Sequence, residues 1–251
     1  EKMSKSKGNV IDPFPVISKH GADTFRFWSA IEANHGQDFR CSEQKIEEAQ
    51  KFLTKLWNIG RFVSSFEFIE EVKVDLLPSD KWILGELSKL VAQCVKGYSE
   101  YNFFIPASQI RDFTWNTFAS HYLELVKSRA YNDQIQNNRY SALYALHKCF
   151  SVILLLLAPI CPFITDKLWT TIYSKESIHL KEFPTQSDDY VDMCKFTKAI
   201  IDFNSLIWTT KRESTDENGK RYSLRDPIKA KIPDDLSQFK DDLKEMHNIQ
   251  D

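Results

Sequence analysis

The spacing of apolar residues constrains this chain more than any other feature. Between residues 43 and 157 they recur mostly at steps of three and four. One run is Ile46, Ala49, Leu53, Leu56, Gly60 and Val63; the next is Ile83, Leu87, Leu90, Cys94 and Tyr98. A third is Ile110, Phe113, Thr117, Tyr122 and Leu125, and a fourth is Leu143, Leu146, Phe150, Ile153 and Leu157. Steps of this size line up along one face of an α-helix and scatter across both faces of a strand. "VDLLPSD", "NFFIP" and "YNDQIQNN" separate the runs with proline or polar residues. Pro159 and Pro162 end the fourth run, and "FITDKLWTTI" predicts a short fifth helix. Only seven glycines and nine prolines occur in 251 residues, too few for a turn-rich all-β protein. The expectation is a mainly α fold, an antiparallel helix bundle.

The two ends read differently. Gly8, Pro13 and Pro15 predict a loop over residues 1–15. Ala22, Phe25, Trp28 and Ile31 predict a short helix, and Ser42 stands where an N-cap would start the long helix from Glu43. "SIHL" predicts a strand or an extended crossing. Beyond residue 187 come an amphipathic segment, the acidic turn "ESTDENGK", the alternating "RDPIKAKIP" and the helical "LSQFKDDLKEM". That order predicts a small α+β C-terminal appendage. The expected divisions are 1–42, 43–186 and 187–251.

Composition narrows the function. With 33 basic and 35 acidic residues the net charge is −2, so any contact with nucleic acid must come from local patches. Cys41, Cys94, Cys149, Cys161 and Cys194 form no C-x-x-C pair, which disfavours zinc and a disulfide framework and points to a reducing, cytoplasmic setting. No metal site is expected. "VILLLLAPIC" is shorter than the ~20 residues a bilayer span needs and reads as the most buried part of a core. No apolar stretch follows the basic N-terminus, so no secretory signal is expected.

The chain opens "EKMSKSKGNVIDP". Lys2 and Lys5 stand three apart with Ser4 and Ser6 beside them, and Gly8 and the prolines would let such a loop move on an anchored end. A loop of this kind can close on a polyphosphate and hold ammonium groups against a leaving pyrophosphate. By composition alone, a solvated basic tail is the commoner outcome for such a segment.

The order of the residues resembles something more specific. "KMSKSKGNVIDP" is similar to the signature loop of class I aminoacyl-tRNA synthetases, in the form found in the branch that handles branched aliphatic amino acids. "GADTFRFWSA" and "LAPICPFITDKLW" resemble the segment after that loop and a segment of the anticodon-binding bundle. "GQDFRCSE", "FLTKLWNIGRFV" and "HYLELVKSRAY" resemble the valine-handling members most, over residues 1 to about 184; "SLRDPIKAKIP" is a looser match. The resemblance implies a ligase that activates valine with ATP, with Mg in the complete enzyme, and transfers it to tRNA(Val). No HIGH motif occurs here, so a C-terminal fragment unable to activate valine by itself is expected.

The resemblance assigns Lys2 and Lys5 as catalytic and Lys2, Ser4, Lys5 and Ser6 to the ATP phosphates, with Lys7 just outside the motif. Arg26 and Arg40 fall in a segment expected to lean on the inside of the tRNA, where surface ion pairs are an equal alternative. Anticodon loops are read by aromatic or guanidinium stacking and by polar groups on splayed bases. Arg111, Trp115, Asn116, Lys127 and Arg129 supply that mixture, with His121 and Tyr131 nearby; Lys127 and Arg129 stand out because a loop follows them. Phe113, Phe118, Tyr122, Trp57, Trp82 and Trp169 read as packing residues, and His121 as a core or capping residue. Between Lys211 and Lys231 seven basic residues face four acidic ones, suited to an RNA backbone or to plain solvation. Two other readings stay open: an isoleucine-handling member, or a helical protein-interaction module with a fortuitous basic start.

Overall fold

The computed structural model describes residues 3–8, 10–39, 41–70, 75–215 and 222–250. The expected helices form, and they pack as a bundle around one of their number. The order is α1 (Pro13–His20), α2 (Ala22–Glu32), α3 (Glu43–Val63), α4 (Pro78–Ser99), α5 (Phe104–Asp112), a π-helix (Phe113–Tyr122), α6 (Leu123–Tyr131), α7 (Gln136–Leu157) and α8 (Pro162–Ile172). The tail adds α9 (Thr197–Glu213), β1 (Ile228–Lys229), α10 (Lys240–His247) and β2 (Ile249–Gln250).

Helix α7 is the centre. Leu143, Leu146, Phe150, Ile153 and Leu157 are all fully buried, and so are Ala142, Ala145, Cys149, Leu154 and Leu156 on its other sides. A helix that is apolar all round belongs inside a protein or inside a membrane. By length and composition α7 could cross a bilayer, but here α3, α4, α5, α6 and α8 pack around it. Each fully buried Leu or Phe contributes about 1.5–3 kcal/mol of transfer free energy.

Some expectations need correction. Part of the stretch read as loop is helical, because Pro13 takes the first position of α1, where a missing N–H costs nothing. The Asp12 side chain caps that helix by accepting from the Phe14 N–H at 3.0 Å. Ser42 has N-cap backbone geometry, but its hydroxyl makes no capping bond. "SIHL" forms a 3-10 turn over Ile178–Leu180, held where Asp166 accepts from the Ile178 N–H at 3.0 Å. Trp82 is buried as expected, whereas Trp57 is 39% exposed.

The third helical run contains a ten-residue π-helix. Phe113 stacks on Phe118 at 6.1 Å between ring centroids, five residues on, and Ser120 donates to the Trp115 carbonyl at 2.8 Å. The i to i+5 geometry fattens the helix and re-aims its side chains.

The tail shares the bundle's core. A 3-10 segment, Val191–Phe196, lies on α4, and Trp82 Nε1 donates to Thr197 Oγ1 at 2.9 Å. Leu243 of α10 is fully buried, and α10 packs against α6. The alternating segment yields only a two-residue parallel pair, Ile228 opposite Ile249 and Lys229 opposite Gln250. Gly85 makes the docking possible: a Cβ there would stand 2.1 Å from the Tyr190 carbonyl oxygen. Gly85→Ala is therefore expected to destabilise the chain by about 1–3 kcal/mol through overpacking, although alanine normally favours a helix by ~1 kcal/mol over glycine. Urea unfolding of the two proteins checks this; a stabilised variant would contradict the close approach.

Candidate nucleic-acid interface

Helix α5 and the start of the π-helix lie beside α3, and the line between them is an open cleft of about 370 Å³. Glu48, Lys51 and Phe52 of α3 form one wall; Arg111, Asp112, Trp115 and Asn116 form the other. Three residues picked out by sequence, Arg111, Trp115 and Asn116, are thus brought together. The Trp115 ring is half-buried, with Lys55 Nζ 5.0 Å from its centroid. Asn116 is exposed and donates to Asp112 Oδ1 at 2.7 Å, which leaves its amide oxygen open. Arg111 is exposed, with no ion pair among the described residues. An aromatic face with a cation over it, a guanidinium and a free amide acceptor suit an unstacked base and its phosphate. Sequence reasoning missed Lys51 and Lys55. Their signal was a four-residue spacing on the polar side of the α3 pattern.

Lys127 and Tyr131 continue this face. Tyr131 is 60% exposed and packs edge-on against Phe66 at 5.0 Å. Lys127 Nζ lies 5.9 Å from the Phe62 ring and donates to both Glu124 carboxylate oxygens, at 2.9 and 3.0 Å. Such exposed pairs are worth little and can open to a phosphate.

Arg129 departs from its expected role. All five of its N–H donors are used inside the protein. Nε and Nη2 bond Asp242 at 2.7 and 3.0 Å, Nη1 and Nη2 bond Asp80 at 3.0 and 2.9 Å, and Nη1 also reaches the Asn138 carbonyl at 3.0 Å. Asp80 is fully buried, and it also accepts from Tyr122 Oη at 2.6 Å and from the Ser141 hydroxyl. Burial works against the guanidinium charge, but the two carboxylates outweigh it and hold Arg129 above its usual range. The side chain joins α4, α6, α7 and α10 and has no donor left for a base.

The other selected residues are dispersed. Arg26 donates to the Ile160 and Pro159 carbonyls at 2.7 and 3.0 Å, tying α2 to the corner between α7 and α8. Arg40 and Lys2 lie outside the described residues, as does the side chain of Lys5. The backbone at Lys5–Lys7 is one 3-10 turn, with the Lys7 N–H on the Ser4 carbonyl at 3.0 Å and the Ser4 and Ser6 hydroxyls 2.8 Å apart. In the tail, Lys211 is buried and donates to the Leu224 and His247 carbonyls at 2.9 and 2.7 Å. Arg212, Arg225, Lys229 and Lys231 are exposed; Lys220 and Arg221 lie outside the described residues. His121 is a core residue: Asn204 Nδ2 donates to its Nδ1 at 3.1 Å, and its ring stacks on Trp208. Burial pushes the Cys94 thiol up to about 12 and Cys194 up to about 11, so neither is a nucleophile at neutral pH.

Comparison with known proteins adds to this geometry. Residues 80–222 match the family described as the anticodon-binding domain of tRNA ligase, and residues 1–42 match tRNA synthetases class I (I, L, M and V). A valine–tRNA ligase of Pyrobaculum aerophilum is 39% identical across 100% of this chain, and one of Nanoarchaeum equitans is 36% identical across 99%. The chain spans 31% of the length of each. Among solved structures, the ternary complex of Agrobacterium radiobacter K84 agnB2 LeuRS, tRNA and LeuAMS superposes with a TM-score of 0.60 at 20% identity, over 76% of this chain and 23% of that one. The Mycobacterium tuberculosis methionyl-tRNA synthetase with methionyl-adenylate gives 0.55 at 19%, over 67% and 35%. These two share the fold. The family match covers more than half of the sequence, a separate class I synthetase match covers its head, and the chain belongs to the anticodon-binding domains of class I tRNA ligases.

Proposed function

We propose that this chain is the part of a valine–tRNA ligase that holds the anticodon arm of tRNA(Val), joined through its first residues to the site where ATP activates valine. The observation that carries the reading is the cleft between α3 and the π-helix. It places Arg111, Trp115 and Asn116 opposite Lys51 and beside Lys55. Similarity along the whole of this chain to a part of valine–tRNA ligases supports valine over isoleucine, and the matched family favours RNA over a protein partner.

On this reading an anticodon base stacks on Trp115, Arg111 and Lys51 meet the flanking phosphates, and Asn116 offers its amide oxygen to a base edge. Lys2 and Lys5, with Ser4 and Ser6, would face the ATP phosphates in the complete enzyme. Among the described residues no cluster of three His, Cys, Asp or Glu could hold a metal ion. A cytoplasmic location belongs to the same reading.

Titration of the chain with tRNA(Val) and with an anticodon-substituted tRNA tests it. Trp115→Ala is expected to weaken binding of the first about ten-fold, within the usual value of a base–aromatic stack, and to narrow the gap between the two. Lys51→Met should weaken both equally and lower the salt slope by about one. Equal affinity of the unsubstituted chain for both RNAs would contradict anticodon reading.

A further inference from the structure

A second cleft is larger than the one just described. It holds about 630 Å³ and lies between α3 and the start of α8, with the junction of α1 and α2 as its floor. Its α3 wall is Gln50, Leu53, Thr54 and Trp57, whereas the anticodon cleft uses Glu48, Lys51 and Phe52. At 100° per residue those two sets face opposite sides of α3, roughly 10 Å apart across the helix. A loop seated in one cleft does not fill the other.

Two exposed aromatic rings flank this cleft: Trp57 is 39% exposed and Phe163 is 69% exposed. Rings left open on both sides of one concavity offer two apolar faces to a flat ligand. The floor is polar in a particular way. Helix α2 starts at Gly21 with no side-chain cap, and Ala22, Asp23 and Thr24, which carry its first N–H groups at the positive end of the helix dipole, line the cleft. Thr24, in that first turn, is only 3% exposed, lines the cleft, and has no hydrogen-bond partner for its hydroxyl among the described residues. Lys167 stands at the rim. The one carboxylate in the lining, Asp23, is turned to α8, where it accepts from the Ile164 N–H at 2.6 Å and caps that helix. His20 is held by Gln50 at 2.8 Å.

Aromatic walls, an uncapped helix start, an unpartnered hydroxyl on the cleft lining and a rim ammonium make complementary sites for a flat ring and an anion. A nucleotide unit carries both. We propose that this cleft holds one unpaired nucleotide of the bound RNA outside the anticodon loop. Its base lies against Trp57 and Phe163, and its phosphate faces the start of α2, Thr24 and Lys167. This rests on the RNA-binding reading above and adds a second point of attachment on the other side of α3.

The test uses a tRNA(Val) transcript whose anticodon loop is replaced by a stable tetraloop, with intact tRNA(Val) and free AMP alongside. The unsubstituted chain is expected to bind the tetraloop RNA, and Trp57→Ala and Phe163→Ala are each expected to weaken that binding about ten-fold. Lys167→Met should lower the salt slope by about one. Both aromatic side chains are exposed, so the variants should fold, and circular dichroism checks it. Unchanged affinity in both aromatic variants, or loss of binding on loop replacement alone, overturns the subsite and leaves the anticodon reading standing. Failure of the intact tRNA to bind removes the anticodon reading and the subsite together. Micromolar binding of AMP that depends on Trp57 and Phe163, with RNA binding that does not, assigns the cleft to a free nucleotide and overturns the proposal.

Discussion

Replacing Arg129 with alanine is expected to cost the fold about 3–5 kcal/mol, the usual consequence of leaving a buried charge without its partner. Two carboxylates would be stranded, one of them on the fully buried Asp80. Against a total stability of roughly 5–15 kcal/mol, that change alone brings the chain close to unfolding. Asp80→Asn should be damaging in the same way, because it removes a charge facing the guanidinium and leaves a donor in an acceptor's position. Arg129→Lys should fall between, since an ammonium cannot span both carboxylates in a planar fork. The pattern separates structure from RNA reading. If Arg129 read a base, Asp80→Asn would leave stability untouched, and Arg129→Ala would fold normally while losing only discrimination among tRNAs. Thermal and urea unfolding of the three variants decides it.

Acid is expected to release the tail before it melts the bundle. Asn204 Oδ1 accepts from His247 Nε2 at 2.8 Å, while its amide nitrogen donates to His121 Nδ1 at 3.1 Å. The amide nitrogen can serve His121 only while that ring is neutral, because a protonated His121 would bring N–H against N–H, and a proton added to His247 would sit on its Nδ1, which is buried without a partner. Burial, then the Lys211 charge and His121, hold His247 down to about 4, and burial lowers His121 as well. A histidine kept neutral in the fold but free to ionise when unfolded lets the unfolded chain bind more protons below its ordinary value. The stability it contributes is therefore complete above pH ~6.5 and is lost as the pH falls toward 4. The shift corresponds to up to ~3 kcal/mol. Trp208 lies against both rings, at 5.3 and 5.8 Å, so its fluorescence should report the change. Urea unfolding between pH 4.5 and 7 should show stability rising with pH, and His247→Leu should flatten the slope. An equal slope in the variant would assign the acid sensitivity elsewhere.

How much of this was legible in the sequence varies with the range of the interactions. The helices were legible because each is written in local spacing: the five apolar positions expected for α7 are all fully buried. The π-helix was not read from the sequence, although the step from Thr117 to Tyr122 is five residues among threes and fours. Arg129 misled because a cation ahead of a polar loop looks exposed, while its carboxylates lie 49 and 113 residues away in sequence. Lys211 misled for the same reason: in a basic segment it reads as surface, yet it serves carbonyls brought together only by the folded tail. Trp57 was read as core because large aromatics usually are, and no local pattern marks a ring left open at a cleft. Arg111, Trp115 and Asn116 were legible because one helical turn gathers them; the opposing lysines on α3 come from tertiary packing.

The central claim, that the face between α3 and the π-helix receives an anticodon loop, is tested most directly by amide hydrogen exchange of the chain with and without tRNA(Val). The account predicts slowed exchange in residues 48–55 and 111–116 when tRNA(Val) is added, with less protection there from an anticodon-substituted tRNA. Protection confined to other elements, or identical protection by the two RNAs, would contradict it.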